Sequence, residues 1–186
     1  MGLPVASDPE IAAATFSDHL SAFFADTRRA TGGWGRIDVE PLTSVVVIPA
    51  TRADGTVDSY FLNLDATWYD QWPARVTFVE PLTGWPAAKP GSAHYPMIVG
   101  SPLPDRALPG QPTISFALHP SYAMTYGEQR QLACFSHSFD YYFSGHTPTE
   151  EQRWRQGTHT ICATLSRLHV VLQAPNYVGP SSAPHT

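Results

Sequence analysis

A chain of 186 residues with 42% hydrophobic and 12% aromatic content has the make-up of a folded domain with a real core, which excludes a disordered or fibrous chain. Its formal net charge is −5, its arginines are scattered and Lys89 is its one lysine, so it lacks the clustered basic residues that a broad nucleic-acid surface needs. Two cysteines, Cys134 and Cys162, are too few for a secreted disulfide framework, and "MGLPVASDPEIAAATF" has no basic-then-apolar leader pattern. The longest apolar run, "TSVVVIPA", is too short to span a bilayer. These features point to a soluble, cytoplasmic protein with neither nucleic acid nor membrane as partner.

Taken in chain order, "EIAAATFSDHLSAFFADTRRATGG" predicts a first helix. Ile11, Phe16, Leu20, Phe23 and Phe24 recur at helical spacing, Asp8-Pro9 supplies an N-cap and first-turn proline, and Gly32-Gly33 ends the pattern. "RIDVEPLTSVVVIPA" reads as a β-branched strand interrupted at Pro41 by a bulge or edge position. Asp54-Gly55 is a hairpin signal. A second strand follows with Tyr60, Leu62 and Leu64 on one face, and a third with Val76 and Phe78 together. Prolines and glycines then punctuate residues 81–112, a spacing that suits neither helix nor central strand and predicts a long surface excursion whose apolar residues pack down.

"TISFALHP" is a plausible fourth strand. In "HTPTEEQRW", Thr147, Pro148 and Glu150 suggest a capped helix start. "HTICATLSRLHVVLQAPN" is the clearest helix, with Ile161, Leu165, Leu168 and Leu172 in phase and Pro175 as its stop. The last ten residues read as frayed. The expected organisation is one domain over 1–180 with a Pro-rich insertion at 81–112, and a tail at 181–186.

Several of these segments carry a family resemblance. "WYDQWPARVTF" places Tyr69, Pro73, Val76 and Phe78 at the spacing by which ubiquitin-conjugating enzymes lead into their third strand, and "FALHPS" resembles the family's His-Pro-Asn signature. Cys134 then stands where the active-site cysteine would be. Trp154, Ile161, Leu165, Leu168, Leu172, Pro175 and Asn176 resemble, in order, the family's Trp, central helix and closing Pro-Asn. The resemblance covers roughly residues 10–178 and is to the divergent bacterial branch of the family. It implies an α+β fold of the conjugating-enzyme type: an N-terminal helix, a four-stranded antiparallel meander, an active-site loop and a central helix, without the two last helices of standard members. Three departures stand out: Ser121 replaces the signature Asn, the stretch from Ser121 to Cys134 is extended, and the chain ends soon after the central helix.

The activity implied is thioester relay. Cys134 would take the C-terminal carboxyl of a ubiquitin-like modifier from an activating enzyme and yield it to an acceptor protein, with no cofactor of its own. A thiol suits this step because its thiolate is nucleophilic and its thioester stays reactive toward amines. With a pKa of ~8.5 a free thiol is mostly protonated at neutral pH, so help from His119 or His137 as base or cation is expected. Ser121, Ser136 or a backbone amide would face the oxyanion, and Asp140 would orient an incoming amine. A chain poor in lysine is also a carrier poor in targets for its own thioester, although codon usage explains the same scarcity. His119 reads as structural, and Cys162, Trp154 and Phe78 as packing.

Two alternatives stand beside this one. Cys134 and His137 form a C-x2-H pair with His146 and His159 further on, a set zinc would accept, although no second C-x2-C or H-x3-H pair accompanies it. An inactive member of the same fold, binding a modifier as a scaffold, is the other. No phosphate-binding glycine loop occurs, so activation of the modifier falls to another protein.

Overall fold

The computed structural model describes residues 3–98, 117–123, 129–144 and 147–182. Asp8 caps the first helix as its position predicts, its carboxylate accepting the amides of Glu10 (3.0 Å) and Ile11 (3.1 Å). Helix α1 (Pro9–Phe24) buries Ala12, Phe16, Leu20 and Phe23. Ile11, expected on that face, is 68% exposed. The helix also stops short of the glycines. Asp26 accepts the Arg28 amide and caps a separate short helix, α2 (Thr27–Thr31), so one predicted helix is two.

Pro41 marks a turn. The predicted single strand is the hairpin β1 (Gly35–Glu40) and β2 (Thr43–Thr51), with Gly35 opposite Val47. β2 pairs with β3 (Val57–Asp65) across the Asp54-Gly55 turn, where Gly55 holds φ +86° and Asp54 accepts the Thr56 amide. β4 (Arg75–Val79) completes a four-stranded antiparallel sheet in the order β1-β2-β3-β4. Tyr60, Leu62, Leu64, Val76 and Phe78 all project from one face of it into the main core, alongside Phe16 and Leu20. The chain is thus mixed α+β, with an N-terminal helix and a four-stranded antiparallel sheet.

The predicted fourth strand is not part of that sheet. Its described portion lies in β6 (Ala117–Ala123), which pairs with β7 (Gln129–Cys134) in a hairpin of its own. The stretch 129–134, expected as loop, is therefore strand. Pro-rich residues 81–98 pack down as expected: the Ala88 amide donates to the Phe78 carbonyl (2.9 Å), and Ala88 and Tyr95 are buried. The remainder of the proposed insertion, 99–112, lies outside the described residues.

Residues 147–154 form turns where a helix was expected, because Trp154 is drawn into the core and its indole N–H donates to the Asp70 carbonyl (2.8 Å). Helix α3 (Phe139–Phe143) is short; α4 (Ile161–Val171) matches the sequence pattern, with Thr160 as N-cap. The expected fraying after α4 is corrected by β8 (Tyr177–Pro180), which pairs with β5 (Pro96–Ile98). Tyr177 is buried, and its hydroxyl donates to Asp58 (2.5 Å), which Arg52 holds through two bonds of 2.7 and 2.8 Å. Among the described residues no helix is long and apolar enough to cross a membrane.

One side chain fastens the β6–β7 hairpin to the sheet. The Gln131 amide, 6% exposed, accepts the Phe78 N–H (2.9 Å) and donates to the carbonyls of Phe78 (2.9 Å) and Ala88 (2.6 Å). Gln131→Ala takes this partner from the Phe78 N–H and the Ala88 carbonyl, while the Phe78 carbonyl keeps the Ala88 amide, and stability to urea is expected to fall by about 3 kcal/mol. Ile11→Ser, on the exposed side of α1, is expected to change it by less than ~0.5 kcal/mol.

Candidate functional site

Alternation along β7 divides its side chains between two surroundings. Ala133, and Phe135 just past the strand end, enter the main core, while Leu132 and Cys134 turn to a small separate cluster with Tyr141 of α3. Ala117 and Tyr142 pack at its margin. Cys134 stands opposite Ala117, and Leu132 opposite His119. His119 and Cys134 therefore share one face of the hairpin as diagonal neighbours, a relation that spans about 7–8 Å.

Between His119 and Tyr122 the register shifts, so Pro120 and Ser121 form a bulge facing the single residue Gln131. A proline fits there because it has no N–H to give the ladder. The side chain of Ser121 lies outside what the structure describes, as does all of His146.

Cys134 is not the accessible loop thiol that the sequence suggested. It ends a strand, is 7% exposed, and burial pushes its thiol up to about 11. Neither cysteine is in a disulfide. Cys162 is half-buried at the start of α4, packed on the main core as expected.

The chain leaves β7 through a tight reversal, Phe135 N–H to Ala133 O (3.1 Å) and Ser138 N–H to Phe135 O (3.0 Å). His137 sits in this reversal. Its ring packs against Phe135, Trp154 and His159, with 4.9 Å between the two imidazole centroids. Burial foremost, then the neighbouring His159 and Arg167, pulls its pKa down to about 4. At neutral pH it is an uncharged imidazole, so the expected role of cation beside Cys134 is withdrawn. Thr164 of α4 grips the same turn by donating to the His137 carbonyl (2.8 Å).

Asp140 is corrected as well. It is buried against Arg75, whose Nε donates to it at 3.1 Å, while the guanidinium lies 5.0 Å from the rings of Trp68 and Phe139. Burial raises the Asp140 pKa against the opposing pull of Arg75. A carboxylate so enclosed is a strut between β4 and α3, not a group that meets an amine.

One proposed zinc ligand, His146, lies outside the described residues. Of the proposed ligands, His137 and His159 adjoin, but Cys134 packs in a different cluster, and among the described residues no three His, Cys, Asp or Glu side chains gather to hold a metal.

The Tyr69 hydroxyl accepts the Ile161 amide (2.8 Å) and hydrogen-bonds His19 Nδ1 (2.8 Å), which joins α1, the segment before β4 and the start of α4. The Tyr142 hydroxyl accepts the Trp154 amide (2.6 Å) and donates to the Ser136 carbonyl (2.8 Å), tying the turn after Cys134 to Trp154. Sequence reading missed Gln131, Tyr142 and Ser138. Period-2 alternation through "QRQLACF" would have placed Gln131 on the inward face with Ala133 and Phe135, had that segment been read as strand.

No protein-family model matches the chain, and no curated protein matches it.

His137 generates a pH prediction. Its folded pKa of about 4 lies below its ordinary 6.5, so the unfolded chain binds the proton more readily. Stability is held in full above about pH 6.5 and is lost as pH falls toward 4, by roughly 3 kcal/mol. Burial also lowers the pKa values of His159 and His169, which add to the slope. Urea unfolding between pH 7 and pH 4.5 is expected to show a shallower loss in His137→Gln than in the unaltered protein.

Proposed function

We propose that this chain is a ubiquitin-conjugating-like carrier, which holds a ubiquitin-like modifier as a thioester on Cys134 and passes it to an acceptor protein. The observation that carries this reading is the β6–β7 register, which sets His119 of the His-Pro signature and Cys134 on one face of the hairpin. Support also comes from the residues of the resemblance: Tyr69, Phe78, Trp154, Ile161, Leu165, Leu168 and Leu172, scattered in sequence, share one buried core.

In the charging step the Cys134 sulfur attacks the modifier's C-terminal carbonyl, held as a thioester on an activating enzyme. A new C–S bond forms as the old one breaks, and the activating enzyme's thiolate departs. The acceptor's nucleophile then attacks the same carbonyl, loses its proton to solvent or a nearby base, and releases Cys134 as thiolate. In this reading His119, the diagonal neighbour on that face, favours the deprotonated sulfur. The thiol has to be uncovered and ionised for the first attack, since burial favours its protonated form.

That same burial favours a second reading, in which the fold binds a modifier without carrying it. The two separate in one experiment. The purified chain is incubated with ATP, a candidate ubiquitin-like modifier and its activating enzyme, then run on reducing and non-reducing gels. The carrier reading expects a band heavier by one modifier that reductant removes. Cys134→Ala abolishes it, Cys162→Ala leaves it, and Cys134→Ser gives an adduct that survives reductant because an oxyester replaces the thioester. Loss of the band with Cys162→Ala and its retention with Cys134→Ala would overturn the assignment. Modifier binding without any adduct, when the activating enzyme is itself charged, would leave the scaffold reading.

A further inference from the structure

The turn that follows Cys134 holds an unusual concentration of unmet polar groups. Ser136 Oγ, His137 Nδ1 and Ser138 Oγ are all buried without a hydrogen-bond partner, on three consecutive residues. Ser136 is 3% exposed and Ser138 0%. Buried hydroxyls are normally paired, because leaving one unmet forfeits its hydration without recompense. Ser138 is moreover the N-cap of α3, a position where the hydroxyl ordinarily accepts a helix amide, yet it makes no such bond.

The main chain of both serines is bonded to residues that pack about Cys134. The Ser136 carbonyl accepts from Tyr142 (2.8 Å) and the Ser138 carbonyl from the Tyr141 amide (3.3 Å). Tyr141 shares the Cys134 cluster, and Tyr142 packs at its margin. A serine hydroxyl rotates freely and offers one donor, so a fixed main chain with an uncommitted hydroxyl amounts to a donor in reserve. The chemistry assigned to Cys134 creates a demand for such a donor: attack on a carbonyl puts negative charge on its oxygen, and Ser121 stands where the resemblance expects an Asn.

We propose that the Ser136 and Ser138 hydroxyls are the hydrogen-bond donors that receive the acyl oxygen when a carbonyl is attacked by, or carried on, Cys134. This rests on the carrier reading for its biological substrate, but the donors themselves are testable without a modifier. The probe is p-nitrophenyl acetate. The Cys134 sulfur attacks its carbonyl, the C–S bond forms, the C–O bond breaks and p-nitrophenolate leaves. Iodoacetamide is the control, because displacement at its carbon develops no oxyanion.

In a Cys162→Ala background, Ser136→Ala with Ser138→Ala is expected to slow Cys134 acetylation by about 10²-fold while alkylation stays unchanged. The Tm is expected to hold or rise, since the change removes unpaired hydroxyls, and threonine at both positions restores acetylation. Equal loss of acetylation and alkylation, or no loss of either, would overturn the proposal. So would a fall in Tm that threonine reverses without restoring acetylation, which would mean the hydroxyls are structural or paired to water. A native Cys134 inert to the ester overturns it too. Failure of the modifier to charge a protein whose serines pass this test would overturn the carrier reading alone.

Discussion

One buried amide sets the relation between the two halves of the structure. β4 is the last strand of the sheet, and its outer edge carries backbone groups that must be paired or hydrated. No further strand of the main sheet covers it. Gln131 reaches across from β7 and satisfies both the N–H and the C=O of Phe78, while its second donor takes the Ala88 carbonyl. Three segments meet at that amide: the sheet, the descending Pro-rich stretch and the hairpin. The position of Cys134 in the molecule follows from it, because Cys134 lies on the same strand.

The rest of the site is built outward from this join. Ala133 and Phe135 root β7 in the main core, leaving Leu132 and Cys134 to the opposite side under Tyr141. The Arg75–Asp140 pair holds α3 against β4, and Thr164 holds the intervening turn against α4. The outcome is a thiol on the same hairpin face as His119 and screened from water. Burial raises its pKa, the opposite of what a resting nucleophile needs. A carrier of this design would be dormant until a partner or substrate displaces its cover.

Much of the fold was legible in the sequence where one local signal acted alone. Asp8 before Pro9, Asp54-Gly55, the alternation of Tyr60, Leu62 and Leu64, and the phase of Ile161 to Leu172 each reappear in the structure. Misreadings arose where a local signal competed with something distant. Asp26 interrupts an otherwise continuous helical pattern by capping a new helix. Thr147-Pro148 is a plausible helix start, but Trp154 is claimed by the Asp70 carbonyl and the Tyr142 hydroxyl. Tyr177 reads as part of a frayed end because its partners Asp58 and Tyr60 are far away in sequence. At the site, Cys134 and His119 were readable as residues but their shared face was not, because it depends on a strand register with a bulge at Pro120-Ser121. Ser138 gave no signal at all, since an unmet hydroxyl is visible only in three dimensions.

Peptide-resolved mass spectrometry of the protein after exposure to ATP, modifier and activating enzyme tests the carrier assignment most directly. The predicted result is the modifier's C-terminal remnant on the peptide that contains Cys134, removed by hydroxylamine as a thioester should be. A remnant on Cys162 or Lys89 in its place, or none at Cys134 while the activating enzyme is fully charged, would contradict it.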